Sequence, residues 1–107
     1  MEFKRIVAKE RKINEIQQDD IRVKVLGRVI DKTDNIFIID DGSAKAEVLY
    51  DQDIIKKDFK IGDNLKLFAR VLLSEPSNVQ LQAEAIQNIN DLNLDLYRRI
   101  KEVIKNV

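Results

Sequence analysis

Apolar and polar residues alternate with period two along most of the chain, and the alternation lays out five strands. In "IRVKVLGRVIDK", Ile21 to Lys32, Val23, Val25, Gly27 and Val29 fall on one face and Arg22, Lys24, Leu26 and Arg28 on the other, which predicts a long, half-buried first strand. Glycine weakens a strand interior unless a bend or a close backbone approach requires it, so Gly27 predicts a strand coiling around a small barrel. "NIFIIDDGSAKAEVLY", Asn35 to Tyr50, supplies two more: Phe37 and Ile39 share a face of the second strand, and Ala46 and Val48 the matching face of the third. The Asp-Asp-Gly-Ser between them has hairpin-turn chemistry, because Asp and Gly accept turn dihedrals and Asp bonds its own backbone. "LKLFARVLL" directs Leu65, Leu67, Ala69, Val71 and Leu73 inward and Lys66, Phe68, Arg70 and Leu72 outward as a fourth strand. "VQLQAEAI" alternates as a fifth, with Gln80, Gln82 and Glu84 toward water, after a loop, "SEPSN", around Pro76.

The pattern breaks in three places. "DQDIIKKDFKIGDNL" predicts a short helix or irregular crossing that covers Ile54, Ile55 and Phe59 and ends at a Gly62-Asp63 turn. Residues 1–20 read as an N-terminal arm in which Ile13 and Ile16 stand at helical spacing. From residue 91 the period lengthens to about 3.6, with Leu92, Leu96, Ile100, Val103, Ile104 and Val107 on one stripe and Arg98, Arg99, Lys101, Glu102 and Lys105 off it. The expected organisation is therefore one domain: arm 1–20, barrel 21–90 and a C-terminal amphipathic helix over 91–107. The fold class is all-β with a C-terminal helix, a five-stranded Greek-key OB-type barrel with a short helix between strands three and four. An SH3-like barrel or a ferredoxin-like mix fits parts of the same pattern.

Composition narrows the chemistry. The 107 residues suffice for one modest core, and nineteen Lys and Arg balance nineteen Asp and Glu, so any charged surface is local rather than global. Cysteine and histidine are both missing, which removes thiolate nucleophiles, disulfides, the commonest general base and the commonest metal ligands. A non-enzymatic protein without cofactor or metal is expected. No apolar run approaches the roughly 20 residues that span a bilayer, and "MEFKRIVAKERK" lacks a signal-peptide core, so the expected location is intracellular: cytoplasmic in an archaeon, nuclear in a eukaryote.

Each candidate residue has two readings. Asp40 and Asp41 read as a metal or acid–base pair only if further groups converge on them; adjacent strand residues point to opposite faces, so the turn reading is preferred. Lys24, Arg28, Lys45, Lys66 and Arg70 make either a phosphate-tracking set or ordinary solvated strand faces interspersed with Asp31, Glu47 and Glu84. Tyr50 and Phe68 are base-stacking platforms or packing aromatics. Alternation also sends Leu26, Ile30, Ile36, Ile38, Leu49 and Leu72 outward, and whatever the arm and the tail leave uncovered would be a partner surface. Leu96, Ile100, Val103, Ile104 and Val107 have the spacing of a helix-bundle seam, and packing on the barrel is the alternative.

The order "VKVLGRVI", "FIIDDGS", "IGDNLKLFARV" and then "AIQNINDLNLDLYRRIKEVI" resembles the OB domains of replication protein A, above all its middle subunit and the archaeal and telomeric relatives of that subunit, over roughly residues 13 to 107. The resemblance implies a groove for single-stranded DNA and a C-terminal helix that bundles with other OB-fold subunits or mediates self-association. It places the groove across the second and third strands, bordered by the loops 32–35 and 74–78. By the same resemblance Tyr50 stands where the family carries one stacking aromatic, whereas a second such position falls near Ser74. The expected nucleic-acid set is thus Lys24, Arg28, Lys45, Tyr50, Lys66, Phe68 and Arg70. Two other readings stay open: an OB-fold assembly subunit with little DNA affinity of its own, and an RNA-binding OB domain.

Overall fold

The long alternating segment forms strand β2 (Arg22–Lys32), and its two halves serve different neighbours. The first half runs antiparallel to β5 (Asn64–Glu75), with Val23 opposite Ala69 and Val25 opposite Leu67. The second half pairs with β3 (Ile36–Asp40), Val29 opposite Ile39. β3 joins β4 (Lys45–Leu49) in an antiparallel hairpin, β4 lies parallel to β6 (Asn78–Asn88), and β6 returns antiparallel to β5. The ring β2-β3-β4-β6-β5-β2 is a closed five-stranded barrel of OB topology. The structure, a computed structural model, describes residues 8–55 and 58–90.

One strand can serve two neighbours only if it bends sharply, and Gly27 marks the bend. A Cβ there would stand 2.7 Å from Ile39 Cγ1 and 2.9 Å from the backbone oxygen of Asp40, so β3 crosses where any side chain would sit. The register then slips between Val29 and Asp31, leaving Ile30 exposed on the bulge. Inside the ring, Val23, Val25, Val29, Phe37, Ile39, Val48, Leu65, Leu67, Ala69 and Leu81 are fully buried, in accord with the alternation that predicts their direction.

The two barrel ends are closed differently. At the end where β3 turns into β4, the N-terminal arm crosses as β1 (Lys9–Glu10), parallel to β2, followed by a 3-10 turn, Ile13–Glu15, that drops Ile13 and Ile16 into the core. Asp41 builds this end. Its carboxylate accepts from the backbone N–H groups of Ser43 (2.9 Å) and Ala44 (3.2 Å) and the Ser43 hydroxyl (2.6 Å), and also from Ile13 N–H at 2.8 Å. Asp40 accepts from Gly42 N–H, and Gly42 adopts φ +88°, which glycine takes at little cost. Both aspartates are therefore turn residues, and Asp41 is also the clamp that seats the arm.

At the opposite end Phe37, Tyr50 and Phe59 pack with ring centroids 4.9–5.6 Å apart. The expected short helix between the third and fourth barrel strands is a single 3-10 turn, Gln52–Ile54, with Asp51 capping it by accepting from Asp53 N–H. Ile54, Ile55 and Phe59 lie against the core as expected. Here sits the one buried carboxylate of the described residues, Asp63, 5 % exposed. It accepts from Lys60 N–H, from the Asn88 amide at 3.0 Å and from the Asn90 amide at 2.6 Å, tying the end of β6 to the start of β5.

Leu26, placed outward by alternation, is buried without joining the inner cluster, and Val71 and Leu73 are only half-buried because the β5–β6 register slips between them. No helix among the described residues is long and apolar enough to cross a membrane. The expected C-terminal helix, with Leu96, Ile100, Val103, Ile104 and Val107, lies outside the described residues, as do residues 1–7 of the arm.

Gly27→Ala should lower stability by about 1–3 kcal/mol, the usual cost of overpacking a closed core, read as a lower urea midpoint. An unchanged midpoint would show that β2 and β3 separate without penalty. Acid should reveal Asp63. Hydrogen bonds from Asn90 first, and then from Lys60 and Asn88, hold its carboxyl below the ordinary 3.8. Its stabilising contribution is therefore complete above that ordinary value and disappears as pH falls below 3.8 through the lowered folded value. Asp63→Asn should flatten the loss of stability below 3.8 relative to the native chain, measured as urea midpoints across an acid series.

Candidate nucleic-acid interface

Closing the barrel sorts the outward residues onto two faces of opposite chemistry. On the β2–β5 face, the register sets Lys24 opposite Phe68, Leu26 opposite Lys66, Arg22 opposite Arg70 and Arg28 opposite Asn64. Lys66 Nζ lies 5.5 Å from the centroid of the Phe68 ring, two positions along the same strand. Across the other edge of β5, Phe68 faces Ala85, too small to cover it. Phe68 itself is half-buried, and Arg28 and Arg70 are exposed. Arg22 holds Glu84 at 2.8 Å, while Lys24, Arg28, Lys66 and Arg70 make no ion pair among the described residues. Glu10 on β1 stands beside Lys24.

The β3–β4 face is different. Ile36 is opposite Leu49, Ile38 opposite Glu47 and Asp40 opposite Lys45, with Gln80 and Gln82 of β6 beside Glu47 and Leu49. Ile30 on the bulge and Asp31 beside Ile38 continue the same mixture of apolar and acidic groups. Lys45 is the single described cation of the β3–β4 hairpin, and it lines an open cleft of about 560 Å³ with Asn14, Gln17, Ser74, Pro76 and Val79.

The expected groove and the expected residues therefore part company. Lys24, Arg28, Lys66, Phe68 and Arg70 come together, but on β2–β5 rather than across β3–β4, and Lys45 stands apart from them at the cleft. Tyr50 is not a platform. It is 4 % exposed, its ring packs between Phe37 and Phe59, and its hydroxyl donates to the Thr33 carbonyl at 2.7 Å. Tyr50 shares the parity of Ala46 and Val48, so the alternation of the third strand already directs it inward, and the platform expectation rests on the family resemblance alone. Arg22 is absent from the expected set, although its alternation with Lys24 is visible in the sequence; Glu84, its ion-pair partner, lies sixty-two positions away.

Lys32 is occupied as well. Its ammonium meets Asp58 at 3.1 Å and lies 4.3 Å from the centroid of the Phe59 ring, and the bond from Lys32 is the main cause of a lowered Asp58 pKa. Among the described residues no cluster of three or more Asp or Glu side chains is placed to hold a metal ion. The chemistry on offer is phosphate attraction and stacking on β2–β5, and apolar contact on β3–β4.

No protein-family model and no curated protein sequence matches the chain. Its fold is found in solved structures. A chain of the S. pombe Stn1-Ten1 complex superposes with a TM-score of 0.70 at 19 % identity, covering 94 % of this chain and 94 % of that one. The S. pombe telomere capping protein Ten1 superposes with a TM-score of 0.67 at 20 % identity, over 94 % of this chain and all of that one. The E. coli protein ygiW is more distant, with a TM-score of 0.57 at 19 % identity over 67 % of this chain and 78 % of its own. At these identities the likeness establishes a shared OB barrel.

Proposed function

We propose that this chain is a non-enzymatic OB-fold subunit that binds single-stranded DNA and works in a complex of the replication protein A or telomere-capping type, joined to its partner through residues 91–107. The observation that carries this reading is the segregation of charge. A chain of zero net charge places Lys24, Arg28, Lys66 and Arg70, all without carboxylate partners among the described residues, around one accessible aromatic ring on an OB barrel. Cations that meet phosphates and an aromatic that meets a base are the two elements of sequence-tolerant single-strand binding. Structural likeness to a protein solved in complex with another supports the assembly half of the proposal.

The β3–β4 face supports a second reading. Ile30, Ile36, Ile38 and Leu49 make an apolar exterior edged by Asp31, Asp40 and Glu47, which suits a protein surface better than a phosphate backbone. An assembly subunit with little DNA affinity of its own would use this face.

Titrating the full chain against fluorescein-labelled oligo-dT at two salt concentrations separates the readings. Affinity that falls as salt rises is the expected outcome, and no binding even at low salt leaves only the assembly subunit. The helix has an independent test. Ile100→Glu should shift the native chain's light-scattering mass toward the monomer or abolish capture of an OB-fold partner, whereas unchanged mass and capture would remove residues 91–107 from the interface.

A further inference from the structure

We infer that the single strand is held on the β2–β5 face, with Phe68 as its stacking platform, and not across the β3–β4 hairpin. This placement rests on the single-strand reading above and adds where the ligand lies and which side chains carry it.

The register makes the face continuous. From Arg28 to Arg22 along β2 is about 20 Å at roughly 3.3 Å per residue, and the strand opposite carries Lys66, Phe68 and Arg70 in the same order. A chain laid along this line meets cations on both sides of the one ring. Lys24 lies across the ladder from Phe68 and Lys66 two positions before it, so both ammonium groups stand near the phosphates that flank a base stacked on the ring. On β6 the ladder neighbour of the ring is Ala85, whose single methyl group adds little bulk beside it. Among the described residues two acids share this face: Glu84, bonded to Arg22, and Glu10, the neighbour of Lys24 on β1. Cations still outnumber them.

On the other face each requirement fails. Its outward residues are Ile36, Ile38, Leu49, Glu47, Asp40, Gln80 and Gln82. None is aromatic, Lys45 is set against Asp40, and Glu47 stands where a phosphate would pass. Phe37 and Tyr50, the aromatics of that hairpin, are both committed to the core.

The chain contains no tryptophan, so Phe68→Trp introduces a single tryptophan, excited selectively over the two tyrosines, at the proposed platform. Added oligo-dT should quench its emission saturably, over the concentrations at which anisotropy of the labelled oligomer reports binding. Phe68→Ala should weaken binding by roughly five- to a hundred-fold, the range for loss of one stacked base, while its urea midpoint checks that the barrel still folds. The native salt dependence should have a log–log slope of about −3, from four phosphates at about −0.7 each. Lys24→Gln, Lys66→Gln and Arg70→Gln together should bring the slope to within about 1 of zero. Lys45→Gln and Leu49→Gln should change neither affinity nor slope.

Failures are distinguishable. If the native chain does not bind oligo-dT, the function and this placement both fall. If it binds but the emission of the Phe68→Trp variant is unmoved, or if Leu49→Gln and Lys45→Gln abolish binding while Phe68→Ala does not, the placement alone is overturned and the strand crosses β3–β4.

Discussion

The barrel depends on the contact between Gly27 and β3. β2 has to pair with β5 over its first half and with β3 over its second, and it changes partner at the point where Ile39 and the Asp40 carbonyl come closer than a methyl group would permit. Closure leaves none of the five ring strands with a fully free edge, and it holds Val23, Val25 and Val29 against Phe37, Leu65 and Leu67 in one dry cluster. The bulge after Val29 and the exposure of Ile30 follow from the same turn in the strand. So does the difference between the outer faces, because one half of β2 joins the basic β5 and the other half joins the apolar and acidic β3.

The ends of the barrel are closed by polar residues that look like candidates for chemistry. Asp40 and Asp41 spend their oxygens on the hairpin backbone and on Ile13 N–H, and Asp63 spends its own on Lys60, Asn88 and Asn90. No buried side-chain polar atom of the described residues lacks a partner. A buried or turn carboxylate held by backbone and amide donors serves as a structural group. The acids therefore stabilise the frame, and the exterior is left for binding.

Charge segregation on a neutral chain has a physical consequence. A uniform mixture of acids and bases attracts a polyanion nowhere, whereas the same side chains sorted by the ladder leave one positive stripe and one apolar, acid-edged face. Under the proposed function both faces can be used at once without competition, a nucleic acid on one and a protein on the other.

Much of this is legible from alternation alone. The inward sets of the first three barrel strands and of the others up to the register slips, the hairpin role of Asp40 and Asp41, and the need for glycine at position 27 are local properties: side chains alternate along a strand, Asp and Gly accept turn dihedrals, and an interior glycine reports crowding. Alternation identifies the outward residues as well, but it does not say which strand lies beside which. That Lys24 faces Phe68 and that Arg70 faces Arg22 are decided by pairings between segments more than forty residues apart. Leu26 shows the same limit from the other side: alternation sends it outward, and it is buried outside the inner cluster. Which face of each strand meets the core is written into the order of its residues, because that choice is made position by position. Which outer faces adjoin is not, because strand order is settled by barrel closure across the whole chain.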